Sequence, residues 1–156
     1  MASIIVEGFP RSGTTFLHEL LTKGFPNYDV YYSEHAASKL TLDNVFVVIR
    51  NPYESIFSWK NYIGKNENVN DIAKWYIRYS NAILENIDNV TVIDFDEMIT
   101  DPTKTLNIVS DKMGIAYTPV DISKIEKAET GFDYSFFVNK YTKEAYQIYK
   151  QLLKYT

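Results

Sequence analysis

"VEGFPRSGTTFLHELL", residues 6–21, carries the pattern that decides the fold. A short β-branched run at residues 4–6 leads into a loop punctuated by Gly8, Pro10 and Gly13. Phe16, Leu17, Leu20 and Leu21 then recur at helical spacing until Gly24 and Pro26 end the run. Strand, glycine loop, helix is the context of a phosphate-binding loop. Gly8 and Gly13 are spaced as in G-x-x-x-x-G-K-[ST], but Thr14 stands where the lysine would be. The nearby cation is Arg11, inside the loop.

Outward from this stretch, strands and helices alternate. Residues 29–33 form a short Val/Tyr-rich strand candidate, and residues 45–49 (VFVVI) are apolar throughout, as in a parallel strand covered on both faces. Asn51, Pro52 and Glu54 fit the cap, first position and capping box of a helix over 52–63. A polar loop at 64–70 precedes a helix over 71–87, with Trp75, Ile83 and Leu84 among its apolar positions. A strand over 90–94 and a turn lead to a helix over 102–113, capped by Asp101 and stopped by Gly114. Residues 115–139 show no clear period. A last helix, 142–155, places Ala145, Ile148, Tyr149, Leu152 and Leu153 on one side. The alternation predicts a three-layer α/β/α domain with a mainly parallel central sheet, like that of P-loop nucleoside triphosphatases.

With 156 residues, 46% of them hydrophobic, the chain has about the right size for one domain spanning 1–156 with one core. A formal net charge of -4 argues against general nucleic-acid affinity, so any anion site is local. The absence of cysteine excludes disulfides and thiolate chemistry, and two histidines, His18 and His35, do not make a histidine-rich metal site. No metal is expected. Nothing approaches the roughly 20 apolar residues of a membrane span, and the N-terminus lacks a signal pattern. The expectation is a soluble, cytoplasmic protein.

Two stretches carry anion chemistry. The amides of about Ser12 to Thr15 should point into the loop at the helix start, where unpaired N–H groups and the helix dipole favour an anion, with the Thr14 and Thr15 hydroxyls adding donors. In the second stretch, "VFVVIRNPYESIFSWKNY", Arg50 leaves the end of a central strand, where ligands of open α/β sheets sit. Ser58 lies about two turns into the following helix. Arg50 and Ser58 make a second phosphate clamp, separate from the first, as a ligand phosphorylated at both ends requires. An ordinary Arg50 ion pair with Glu54 is the plain alternative.

These residues carry a resemblance. "GFPRSGTTFL" resembles the 5′-phosphosulfate loop of sulfotransferases that use 3′-phosphoadenosine 5′-phosphosulfate (PAPS), and "VIRNPYESIFSW" resembles their 3′-phosphate motif. "VIDFDEMITDPTKTLNIVSDKMGI" is similar to a segment after a late sheet strand in many of them. The resemblance implies sulfuryl transfer from PAPS to a hydroxyl or amine, releasing 3′-phosphoadenosine 5′-phosphate (PAP). Arg11, Ser12, Gly13, Thr14 and Thr15 would hold the 5′ end, and Arg50 and Ser58 the 3′-phosphate. Cytosolic members usually carry lysine where Arg11 stands; arginine there looks more like tyrosylprotein and some carbohydrate sulfotransferases. Phe16 offers either contact with the adenine or packing beneath the helix.

The acceptor needs a base, and "YYSEHAASKL" offers Glu34 and His35. If the strand ran through both, their side chains would face opposite ways. His35 is favoured slightly, because an unperturbed imidazole near pKa 6.5 suits neutral pH better than a carboxylate near 4.3. Asp94 and Asp96 offer either a metal hint or a cap for the next helix. The acceptor class stays open among small molecule, lipid, glycan and peptide, with the aromatic-rich residues 132–155 as candidate pocket lining. A small P-loop kinase and a non-catalytic nucleotide-binding module are the competing readings.

Overall fold

The computed structural model describes residues 2–63, 67–130 and 138–156. Four parallel strands form the sheet: β1 (Ser3–Glu7), β2 (Asp29–Tyr31), β3 (Val45–Ile49) and β4 (Val90–Asp94), in the order β2-β1-β3-β4. The helices are α1 (Thr14–Gly24), α2 (Pro52–Ile63), α3 (Val69–Glu85), α4 (Phe95–Thr100), α5 (Pro102–Met113) and α6 (Lys140–Leu153). Short 3₁₀ turns lie at Ala37–Thr41 and Ile122–Lys124. The result is the expected mixed α/β architecture, a parallel sheet flanked by helices.

All five residues of β3 are buried, and strand geometry sends alternate ones to opposite faces. Val45, Val47 and Ile49 join Ile72, Tyr76 and Tyr79 of α3 and Ala145, Tyr149 and Leu152 of α6. Phe46 and Val48 join Leu17, Leu20 and Leu21 of α1, Phe95 and Met98 of α4, and Leu106 and Val109 of α5. At about 1.5–3 kcal/mol per buried large apolar side chain, β3 alone contributes on the order of 10 kcal/mol before entropy is subtracted. A surface ion pair contributes about 0–1 kcal/mol. Packing, rather than any charge at its end, therefore fixes where β3 delivers Arg50.

Several boundaries differ from the sequence expectation for visible reasons. β2 stops at Tyr31 because the backbone N–H groups of Glu34 and Ala36 turn to the Glu7 carboxylate, and His35 adopts a left-handed φ of 54°. The stretch after β4, expected as a turn, is helix α4. Asp94 caps it, its side chain accepting from the Asp96 N–H. Asn68 caps α3 two residues earlier than expected, and an Asn139–Thr142 capping box starts α6 at Lys140. Asn51 caps α2, but the Glu54 side chain turns to Arg50 at 3.3 Å rather than back to the cap. Residues 64–66 of the expected polar loop, and 132–137 of the aromatic-rich stretch, lie outside the described residues. Among the described residues, no helix is long and apolar enough to cross a membrane.

Candidate functional site

The loop from β1 to α1 is curled by two left-handed residues, Arg11 (φ 64°) and Gly13 (φ 94°), with a Ser12 N–H to Phe9 carbonyl bond of 3.2 Å between them. At Gly13 a Cβ would stand 2.6 Å from the Phe95 ring, so both dihedral and space call for glycine. The first α1 backbone bond runs from the Leu17 N–H to the Gly13 carbonyl at 3.0 Å. The amides of Gly13, Thr14, Thr15 and Phe16 find no acceptor among the described residues. Every other α-helix among the described residues carries a side-chain cap, whereas α1 has neither a cap nor an acidic residue in its first turn. An uncapped helix start with free donors is suited to an external anion.

Two arginines converge on this helix start. Arg50, 3% exposed, leaves β3 and donates from Nη1 to the Arg11 carbonyl at 3.0 Å, from Nη2 to the Glu129 carbonyl, and from Nε to the Glu54 carboxylate at 3.3 Å. Its guanidinium carbon lies 4.1 Å from the centre of the Phe95 ring. Burial lowers its pKa from the ordinary value, and Glu54 opposes that shift. Arg50 thus makes the expected pair with Glu54 and also lines the cavity.

Arg11 donates from Nε to the Ser58 hydroxyl at 2.9 Å and lies 4.9 Å from the centre of the Tyr62 ring. Ser58, expected to act with Arg50, is thus bonded to Arg11 of the first stretch. α2 packs beside the loop, so Ser58 meets Arg11, and Ser55 meets Ser12 at 3.2 Å. The Arg11 guanidinium also stands 3.8 Å from the Glu129 carboxylate.

Past β2, the His35 ring reaches back to the loop, with Nδ1 2.8 Å from the Gly8 carbonyl. Nδ1 also lies 3.2 Å from the Ser33 hydroxyl. A carbonyl only accepts, so the Gly8 contact calls for a proton on Nδ1, the tautomer in which a neutral ring has its lone pair on Nε2. The His35 N–H is held by the Ser33 hydroxyl at 3.2 Å. Glu34 is exposed and points elsewhere, its carboxylate 3.6 Å from Lys39 Nζ.

These elements enclose a cavity of about 410 Å³, within the size range of small-molecule sites. Of the residues singled out in the sequence, Arg11, Gly13, Thr14, Thr15, Phe16, His35 and Arg50 line it. Ser12 and Ser58 are buried behind them, and Glu34 lies outside. His18 is occupied with the Val30 carbonyl at 3.0 Å, and Phe16 belongs to the core while also reaching the cavity. Sequence reasoning missed the strap of residues 126–129 across one side, whose stretch has no period. It also missed Glu7, whose signal was a single carboxylate at the end of an apolar strand.

No family model matches the chain, and no curated protein matches it by sequence. Solved structures do. A mouse sulfotransferase, SULT7A1, complexed with PAP superposes with a TM-score of 0.53 at 17% identity, covering 75% of this chain. This chain spans 60% of that longer one. The sulfotransferase domain from the curacin biosynthetic pathway superposes with a TM-score of 0.65 at 12% identity, covering 100% of this chain and 99% of the domain. At 12–17% identity the likeness is one of fold, and the fold is that of these sulfotransferases.

Proposed function

We propose that this chain is a single-domain, PAPS-dependent sulfotransferase that transfers a sulfuryl group to a hydroxyl or amine acceptor. The observation that carries the reading is the meeting, in one cavity, of an uncapped helix start, two arginines and a histidine whose Nδ1 is turned to the Gly8 carbonyl. The fold shared with sulfotransferases, one of them complexed with PAP, supports the donor class.

The donor set fits such a ligand. Four unpaired amides and the Arg11 guanidinium suit the 5′ end, and the buried Arg50 suits the second phosphate. PAPS, when bound, supplies an activated sulfuryl group on a phosphate oxygen. Arg11 and the amides of residues 13–16 stabilise the negative charge that develops on that oxygen as its bond to sulfur breaks. His35 Nε2 takes the proton of the acceptor as the new bond to sulfur forms. Tyr32, Trp59 and Tyr62 line the same cavity and offer apolar faces to an acceptor.

The test is thermal unfolding with PAP, ADP and ATP plus magnesium, followed by labelled sulfate transfer from PAPS to small-molecule, glycan, peptide and lipid acceptors. PAP is expected to raise the melting temperature clearly more than ADP or ATP, and at least one acceptor class should take up label. An equal or larger shift with ATP and magnesium would overturn the proposal in favour of a kinase.

A further inference from the structure

Glu7 closes β1 and is only 1% exposed, yet it belongs to neither anion clamp and lies outside the cavity lining. Its carboxylate is fully used. Oε2 accepts from the Glu34 N–H at 3.1 Å, while Oε1 accepts from the Ala36 N–H at 3.2 Å and from the Tyr79 hydroxyl at 2.5 Å. The two amides are those on either side of His35.

Backbone amides that flank a left-handed residue form a concavity suited to an anion. Here the anion is a side chain of the same protein. The left-handed φ of 54° at His35 is disfavoured for a residue with a Cβ, so contacts must hold it. Tyr79, buried on α3, fixes the carboxylate from the other side. Gly8, directly after Glu7, supplies the carbonyl that faces Nδ1 at 2.8 Å. One dipeptide, Glu7-Gly8, therefore contacts both the backbone around His35 and its ring.

We propose that Glu7 is a positioning residue for His35, its buried carboxylate holding residues 34–36 so that the imidazole keeps its proton on Nδ1 and its lone pair on Nε2. What His35 then does rests on the sulfotransferase reading; how it is held does not. Two of the three contacts of the carboxylate bear on the loop around His35 rather than on the core. Its two amide partners also lie on one short loop rather than being spread across the core.

The test is Glu7→Gln, which keeps the shape but turns one acceptor atom into a donor facing an N–H or hydroxyl group. The ring ¹⁵N shifts of His35 report the tautomer without donor or acceptor, and calorimetry with PAP reports the anion site. In the unsubstituted protein His35 is expected to hold the Nδ1–H tautomer. In Glu7→Gln it should relax toward the mixture of free histidine, while PAP affinity stays within about threefold. An unchanged tautomer in Glu7→Gln overturns the proposal. So does a joint loss of tautomer and PAP affinity, which would make Glu7 a support of the whole cavity. If Glu7→Gln does not fold, Glu7→Asp, whose shorter side chain withdraws the carboxylate from the Glu34 and Ala36 amides, is measured the same way, and an unchanged tautomer there is equally fatal. If the unsubstituted protein fails to bind PAP, the sulfotransferase reading falls, while the tautomer shift still decides what Glu7 does.

Discussion

His35 and Glu34 are adjacent in sequence, yet their surroundings differ. The His35 ring is tied to Gly8 and lines the cavity, whereas the Glu34 carboxylate is exposed beside Lys39. The difference arises because β2 ends at Tyr31 and the chain turns over Glu7, so strand alternation never applies to the pair. A general base typically contributes 10²–10⁴-fold to a proton transfer. His35→Ala is therefore expected to lower kcat for sulfate transfer by roughly that factor. Glu34→Ala removes an exposed ion pair worth about 0–1 kcal/mol of stability and should leave kcat within about twofold. Steady-state rates for the two variants decide the matter, and the opposite ranking would assign the base to Glu34.

At the scale of elements, the site is a junction of the α1 start, the flank of α2 and the strap of residues 126–129. The strap reaches both arginines, its Glu129 carbonyl on Arg50 and its carboxylate near Arg11. An anion binding at Arg11 competes with that carboxylate. The pair is long, at 3.8 Å, and the Glu129 side chain is 68% exposed, so the competition is weak. Glu129→Ala is accordingly expected to tighten PAP binding by about two- to fivefold, read by calorimetry. A fall in affinity would instead mean that the carboxylate holds the strap in place. The strap also marks where sequence stopped being legible. β3, α2, β4 and α5 have the bounds their local signals predict, because apolar runs, Asn51-Pro52, Asp101-Pro102 and Gly114 are start and stop chemistry that needs no tertiary partner. Arg11, Gly13 and Arg50 were legible for the same reason. α4 carries a local signal, the Asp94 cap, in a stretch expected as a turn, whereas the end of β2 and the placement of residues 126–129 depend on contacts distant in sequence. So does the Arg11–Ser58 bond across 47 positions, which no local pattern encodes.

Across the whole molecule, the α3–α6 side of the sheet buries the phenols of Tyr76, Tyr79 and Tyr149 in one core cluster. Burial pushes all three up from the ordinary phenol range, reinforced for Tyr79 by the Glu7 charge and for Tyr149 by Asp94 and Asp96. Each phenol in the folded chain keeps its proton at a pH where the unfolded chain has lost it. Their stabilisation is thus complete below about pH 10 and is lost as pH rises above it. One such group costs about 1.4 kcal/mol per pH unit, and three together about 4. Against a total stability of roughly 5–15 kcal/mol, cooperative unfolding should set in above pH 10 as this loss accumulates. Two of these phenols also hold the site, since Tyr76 donates to the Arg50 carbonyl at 2.7 Å and Tyr79 to Glu7. PAP binding and helical signal should therefore disappear together, at the pH where the last phenolate absorbance appears. In Tyr149→Phe the alkaline slope should fall by about a third. Gradual ionisation of every tyrosine from pH 10 with the helical signal intact would show that these phenols are not holding the core closed.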